Sequence, residues 1–374
     1  MPDCPLTLDA LPKPLQKHAD PKAPGPLRMM GAKGLVPAVA PGDLVTLLFV
    51  LSYDAEEPVR TTAAKTAEGL PDKLYGVALR AEGIAPQVLD WLADRFQGKD
   101  PALELILLNP QTADETVARL APAVSQPLAD IIRQNELRLL RHDAIIRGLC
   151  QNPNALASSI DGACDFCVRN GLTLLDVPQL VEAHKRVHGV DPTPKPHEET
   201  AEGLIAEFQQ DLLHDAAPLT RAETEEERAR KLTITQRILK MSVSEKIKLA
   251  TLGNKEARTI LLRDANKLVC MAAATSPRIT DGEILSLANS RTVQADVLRY
   301  IYSNREFTKT YAIKSSLVKN PKVPLPTALR FLQTLQERDI KDLSRDRNVP
   351  HTVMAQAKAI MMKREQAQKG KSEK

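Results

Sequence analysis

The sequence predicts an all-α protein of stacked helical hairpins, divided into two blocks. Three observations predict it. Aromatic side chains make up only 3% of a chain that is 43% apolar, and a core of Leu, Ala, Val and Ile suits helix-on-helix packing better than sheets. A helix–turn–helix pattern recurs at a regular interval. Between its copies lies a stretch of different composition, rich in Pro and charge.

The elements follow in order. Residues 1–40 are Pro-rich and lack periodicity, so they read as an extended arm. Helical pattern begins at Pro41-Gly42-Asp43, with Asp43 as the N-cap of LVTLLFVLS. A second helix follows Asp54 and stops at Gly69 and Pro71. A third opens at Pro86 through PQVLDWLADRF and closes at Gly98. The N-terminal block spans 41–187 and the C-terminal block 241–364, followed by a basic tail at 365–374. The linker, 188–240, carries an acidic excess. Within it Leu204, Phe208, Leu212 and Leu213 fall at helical spacing, forming a short amphipathic helix that docks on its own body or enters a groove on a partner.

Four segments repeat: LILLNPQTADETVARLA (105–121), GLCQNPNALASSIDGAC (148–164), AAATSPRITDGEILSLA (272–288) and SLVKNPKVPLPTALRFL (316–332). Each ends one helix, turns through Asn-Pro or Ser-Pro, and enters another. Proline restricts the preceding residue away from the helical region, which is why the turn falls there. Thr112-x-x-Glu115, Ser242-x-x-Glu245 and Thr280-x-x-Glu283 match the capping-box pattern, and Pro324 and Pro326 suit a first turn. Pro110 to Pro153 and Pro277 to Pro321 are separated by 43 and 44 residues, within the 40–47 range of two- and three-helix repeats.

These residues carry a resemblance. Asp54-x-x-x-x-Val59-Arg60-x-x-Ala63 resembles the signature of HEAT-like repeats. The turns Leu149-x-x-Asn152-Pro153 and Leu317-x-x-Asn320-Pro321 resemble those of bacterial variant helical repeat proteins. The resemblance covers about 43–185 and 243–363. It implies an α-solenoid of the HEAT/armadillo kind and is nearly silent about function, since such arrays serve as scaffolds, receptors and occasionally nucleic-acid enzymes.

The search for chemistry excludes more than it finds. No phosphate-binding loop or dinucleotide fingerprint occurs, and Gly31-Ala-Lys-Gly34 reads as a turn. There is no nucleophile elbow and no H-E-x-x-H. Cys164-x-x-Cys167 reads as a pair of core thiols, with a zinc site or a redox pair as the alternatives. Five cysteines, an odd number, are not a disulfide framework. His142 reads as a cap or surface residue. HEAT-like DNA alkylpurine glycosylases combine aromatic residues with a carboxylate in a basic groove, but the single tryptophan, Trp91, sits beside Asp90 at core spacing in the acidic half. No catalytic, cofactor-binding or metal-binding residues are assigned.

Charge is the remaining signal. Residues 241–374 hold 25 Lys+Arg and 13 Asp+Glu, and residues 1–240 hold the other 26 and 34, so a net +4 conceals a +12 half and a −8 half. Lys309, Lys314, Lys319, Lys322, Arg330, Arg338 and Arg345 form the basic ridge assigned to partner binding. The reading is a non-enzymatic, cytoplasmic scaffold or adaptor that binds a protein partner, without membrane insertion. The alternative is a nucleic-acid-binding repeat protein using the same half, where Tyr300, Tyr302, Phe307 and Tyr311 interleave with basic residues.

Overall fold

The computed structural model describes residues 4–37, 39–81, 83–194, 196, 200–207, 225–346 and 348–372, of which 225–232 and 364–372 are described by their backbone. Among the described residues the chain is all-helical, without strands. It separates into an N-terminal unit (1–169 and 173–193) and a C-terminal unit (170–172 and 194–374).

The N-terminal unit begins with α1 (Lys13–Ala19) and α2 (Gly25–Ala32). The expected extended arm is therefore helical. Its prolines start helices instead of preventing them: Pro12 and Pro24 are N-caps, and Pro14 and Pro26 lie in the first turn, where a missing N–H leaves no intrahelical bond unmade. Leu11, Leu15, Ala19 and Ala32 are buried, and α2 packs on α3 (Pro41–Leu51) and α4 (Glu57–Glu68). Pro41, Pro58, Pro86, Pro101, Pro127, Pro178 and Pro326 open later helices in the same way. Asp43 is not the cap of α3. Ala40 takes that position with Pro41 after it, and Asp43 lies one turn inside.

The signature residues at Asp54–Ala63 have distinct tasks. Val59 and Ala63 are fully buried. Arg60 Nη1 donates to the carbonyls of Asp54 (2.7 Å) and Ala55 (2.9 Å). The buried Asp54 carboxylate accepts from the Glu56 N–H at 2.8 Å and from Arg28, which also reaches Glu56 at 2.5 Å. Hydrogen bonding to Asp54 outweighs burial and holds the Arg28 guanidinium above its ordinary range. The arm is thereby tied to the first hairpin.

The unit continues through α5 (Asp72–Ala78), α6 (Pro86–Arg95) and α7 (Asp100–Leu108). Next come α8 (Asp114–Leu120), α9 (Gln126–Gln134), α10 (Glu136–Arg141) and α11 (Asp143–Gln151), and the unit closes with α12 (Ala157–Arg169) and α13 (Pro178–His188). The C-terminal unit contains α14 (Ala201–Glu207), α15 (Glu225–Lys240), α16 (Val243–Leu252), α17 (Lys255–Leu261) and α18 (Lys267–Ala274). It continues with α19 (Asp281–Asn289), α20 (Ala295–Ser303), α21 (Arg305–Lys309) and α22 (Tyr311–Lys319), then α23 (Leu325–Leu332), α24 (Glu337–Leu343) and α25 (His351–Ser372). Of the amphipathic linker helix, Leu204 is buried in α14; Phe208, Leu212 and Leu213 lie outside the described residues.

The repeated segments fold alike. From Pro110 to Pro153 the order is α8, α9, a short α10 and α11; from Pro277 to Pro321 it is α19, α20, a short α21 and α22. In each the first helix packs on the last. The short helix is capped by an asparagine whose side chain accepts a backbone N–H: Asn135 from Arg138 and Asn304 from Glu306.

The asparagine before each proline explains the motif. A helix leaves its last carbonyls without intrahelical donors, and a buried carbonyl needs one. Asn109 Nδ2 donates to Leu79 O at 2.7 Å, just past α5. Asn152 Nδ2 donates to Ala121 O (2.8 Å) and Val124 O (3.0 Å), just past α8. Asn320 Nδ2 donates to Ala288 O (2.8 Å) and Ser290 O (2.9 Å), at the end of α19. Each Oδ1 accepts the N–H two residues on, from Gln111, Asn154 and Lys322. All three side chains are buried. The Ser276-Pro277 turn has no amide to offer, and Arg278 Nη1 instead reaches the end of α16 at Leu252 O (3.0 Å).

Of the three capping patterns, Thr280 and Glu283 complete a reciprocal box, and Ser242 accepts from the Glu245 N–H. Thr112 does not cap α8. Its buried hydroxyl donates to Ile106 O (2.5 Å), and Ala113 is the N-cap. Glu283 has a second task. Arg258, 1% exposed, donates through Nε (3.0 Å) and Nη2 (3.1 Å) to its two carboxylate oxygens, joining α17 to α19. Burial raises the Glu283 carboxyl, but the bonds from Arg258 and Thr280 outweigh it and hold the group below its ordinary range.

Two outcomes follow. Asn152→Asp keeps the shape and the Oδ1 acceptor but removes the donors. Val124 O retains the Asn154 amide at 3.2 Å, whereas Ala121 O is left unpaired. Urea unfolding should therefore record a loss of about 1–3 kcal/mol, and a loss too small to measure would mean that this carbonyl finds water. For Glu283 the lowered folded value makes its contribution complete above the ordinary carboxyl range near 4.5 and lost as pH falls below it. Glu283→Gln should cost about 3–5 kcal/mol at neutral pH by stranding Arg258, and the gap from wild type should narrow on acidification; a pH-independent gap would contradict the assignment.

Candidate interaction surface

The seven basic residues lie on the last helices of the C-terminal unit, and their environments differ. Alternation along α22 places Ile313, Ser316, Leu317 and Val318 inside, leaving Lys314 half-buried and Lys319 exposed. Lys309, at the end of α21, pairs with Glu306 of the same helix at 2.6 Å. Lys322 follows the Asn320-Pro321 turn, and its Nζ donates to Val293 O at 2.8 Å. It is a tie between segments as much as a surface charge. Arg330 is exposed, with its guanidinium 5.0 Å from the Phe331 ring centroid. Arg338 and Arg345 are exposed on and just after α24.

Carboxylate pairing sets the last helices apart; earlier in the same unit Arg237, Lys246, Arg258 and Lys267 are each paired. In the N-terminal unit five arginines are taken up by carboxylates of other segments: Arg119 by Asp90 (2.6 Å) and Asp94, Arg138 and Arg141 by Asp114 (3.0 and 2.5 Å), Arg147 by Asp176, and Arg186 by Asp165 (2.6 Å). Among the described residues of the C-terminal unit, Lys314, Lys319, Lys322, Arg330, Arg338 and Arg345 have no carboxylate within ion-pair distance. The basic excess of that half is thus uncompensated locally.

A cavity of about 250 Å³ sits at this surface, lined by Asn289, Arg291, Ser316, Lys319, Asn320, Asp346, Asn348 and Val349. It brings Lys319 beside Arg291, whose Nη2 donates to Asn348 O at 3.2 Å. None of the other six basic residues lines it. Arg291 and Asn289 escaped the sequence reading because they follow α19, about 30 residues upstream of Lys319; the 43–44-residue repeat, which aligns α19 with α8, is the signal that could have placed them.

Of the four interleaved aromatics, Tyr302 is half-buried and the other three are engaged elsewhere. Tyr300 and Phe307 meet edge to face with centroids 5.8 Å apart. The Tyr311 hydroxyl donates to Asp339 and accepts the Gln336 N–H (3.0 Å). Burial, then the Asp339 hydrogen bond, raises the Tyr311 hydroxyl above its ordinary range, so it stays neutral.

Trp91 is 8% exposed and meets Phe49 edge to face at 5.7 Å. It is nevertheless not sealed. With Phe49, Tyr53, Asp90, Asp94 and Glu115 it borders a cleft of about 440 Å³, while the Arg95 guanidinium lies 4.1 Å from the ring centroid. Arg119 occupies Asp90 and Asp94, so both carboxylates already have a structural partner. Cys164 and Cys167 are fully buried. His142 occupies the N-cap position of α11, its side chain makes no capping hydrogen bond, and it lies 3.9 Å from Glu115. Among the described residues no group of three or more His, Cys, Asp and Glu is placed to hold a metal ion, and no helix is long and apolar enough to cross a membrane.

No protein family, curated protein or solved structure matches the chain.

The environments predict a separation of roles. Lys322→Ala should lower unfolding stability by about 1 kcal/mol through the loss of its bond to Val293 O. Lys319→Gln, Arg338→Gln and Arg345→Gln should each stay within about 0.5 kcal/mol of wild type, as surface substitutions do. Equal losses at all four positions would place the ridge in the folding of the unit and not on its free surface.

Proposed function

We propose that the protein is a non-enzymatic, cytoplasmic adaptor of HEAT/armadillo-like helical hairpins whose C-terminal unit binds an acidic segment of a protein partner. The single observation that carries the reading is a contrast in pairing: Arg119, Arg138, Arg141 and Arg186 of the N-terminal unit meet carboxylates between helices, whereas Lys314, Lys319, Arg330, Arg338 and Arg345, gathered on the last helices, meet none among the described residues. Uncompensated cations on one surface raise the local concentration and on-rate of anionic partners.

The repeat supports the architecture. Two segments of 43–44 residues share helix order, first-on-last packing and the closing asparagine. Stacked units of this kind leave an extended surface for partners. Lys319 and Arg291 line the 250 Å³ cavity with one carboxylate, Asp346, so cations outnumber anions at its wall and favour one anionic side chain, while Arg330, Arg338 and Arg345 supply longer-range attraction. Nucleic acid would also answer to cations, but single strands are held by stacking on exposed aromatic faces; Tyr300, Phe307 and Tyr311 are occupied with each other and with Asp339, and Tyr302 is half-buried.

The test is a pull-down on the full chain, wild type against Lys319→Glu/Arg330→Glu/Arg338→Glu, with and without nuclease, from a lysate of the source cell. The expected result is protein capture that survives nuclease, is competed by polyglutamate and is lost in the variant. Capture abolished by nuclease would transfer the surface to nucleic acid. Capture unchanged in the variant would remove the ridge from recognition.

A further inference from the structure

Cys150 is the penultimate residue of α11, and Cys164 lies in the middle of α12. Their sulfurs stand 3.7 Å apart across the Asn152-Pro153 turn. Cys150 is half-buried, whereas Cys164 and Cys167 are closed to solvent. The sulfur facing Cys164 therefore comes from the neighbouring helix, not from its partner in the C-x-x-C pattern. We propose that Cys150 and Cys164 are an oxidation-responsive pair that a hydroperoxide converts to a disulfide stapling α11 to α12, with Cys150 the sulfur oxidised first.

Reach comes first. A disulfide is about 2.05 Å long, so the sulfurs must approach by about 1.7 Å, a displacement within the range of a side-chain rotation. Access comes second. Of the three clustered thiols only Cys150 is open to a small oxidant. Reactivity is divided in the same sense. The hydrogen bond between the thiols lowers Cys150 below the ordinary thiol range and, together with burial, drives Cys164 far above it. By contrast, burial pushes Cys167 up to about 12 and Cys270 up to about 11, which keeps both as inert thiols.

The chemistry balances as follows. The Cys150 thiolate attacks one peroxide oxygen, the O–O bond breaks, and Cys150 becomes a sulfenic acid as hydroxide or alkoxide leaves. Cys164 then attacks the Cys150 sulfur, the S–S bond forms, the S–O bond breaks, and the Cys164 proton leaves with that oxygen as water. Two thiols supply the two electrons that reduce the peroxide. The bridge closes a short ring, 150–164, around the turn whose Asn152 amide holds the end of α8.

The sequence makes the test direct. Cleavage before Asp161 and before Asp165 puts Cys150, Cys164 and Cys167 on three different peptides. The full chain is titrated with hydrogen peroxide, remaining thiols are alkylated, and the non-reduced digest is read by mass spectrometry. The expected result is a Cys150–Cys164 linked peptide with Cys167 alkylated, reversed by dithiothreitol and retained in Cys167→Ser. Cys164→Ser should abolish the link and leave Cys150 as a sulfenic acid trapped by dimedone, with circular dichroism confirming that the variant folds. Thermal unfolding of the oxidised wild type should shift upward. A Cys164–Cys167 link, a link through Cys4, or equal dimedone labelling of Cys150 in wild type and Cys164→Ser would each overturn the assignment.

Discussion

The fold rests on the need to satisfy buried carbonyls at helix ends. Short helices stacked side by side bring many helix ends into the interior, and each end leaves carbonyls that water no longer reaches. Asn109, Asn152 and Asn320 answer this with an amide that donates to the end of an earlier helix while its oxygen orders its own turn. Arg138 does the same for Thr112 O and Asn109 O, and Arg278 for Leu252 O. At the opposite ends, prolines remove N–H groups that would otherwise need acceptors. The 27 prolines of this chain are in good part the complement of its asparagines.

Electrostatics divides the molecule along different lines from packing. Both units have buried apolar cores of the same kind, and both carry deeply buried arginines, Arg28 and Arg258, held by carboxylates. What differs is the surface. Arg119 and Arg186 of the N-terminal unit are braced against aspartates of an earlier helix, which opposes their field. The cations of the last helices are tethered only at Lys309 and Lys322, so their field extends into solvent.

Helical periodicity made the all-α architecture legible, because it depends on neighbours three and four residues apart. The Asn-Pro turns were legible for the same reason: proline acts on the residue before it. What escaped notice lies across helices. The arm reads as extended because it is Pro-rich and lacks periodicity, yet Pro14 and Pro26 sit where prolines start helices. Thr112 and Thr280 occupy the same sequence pattern, yet only Thr280 caps, since burial turned the Thr112 hydroxyl toward Ile106 O. Likewise the basic ridge was legible as a composition, but the meeting of Lys319 with Arg291 and of Cys150 with Cys164 depends on which helix lies beside which. Local spacing does not contain that information.

The cross-helix bonds of the Asn-Pro turns join residues 28–32 apart. Every such bond reaches back to a nearby preceding helix and no farther. A chain wired in this way carries its assembly instructions locally, so a whole 43-residue cassette can be duplicated or lost with each remaining asparagine still finding a carbonyl of the right kind. An insertion of half that length would strand one. The natural step of length change in proteins built on this plan is the complete segment, and the surface grows by the same increment.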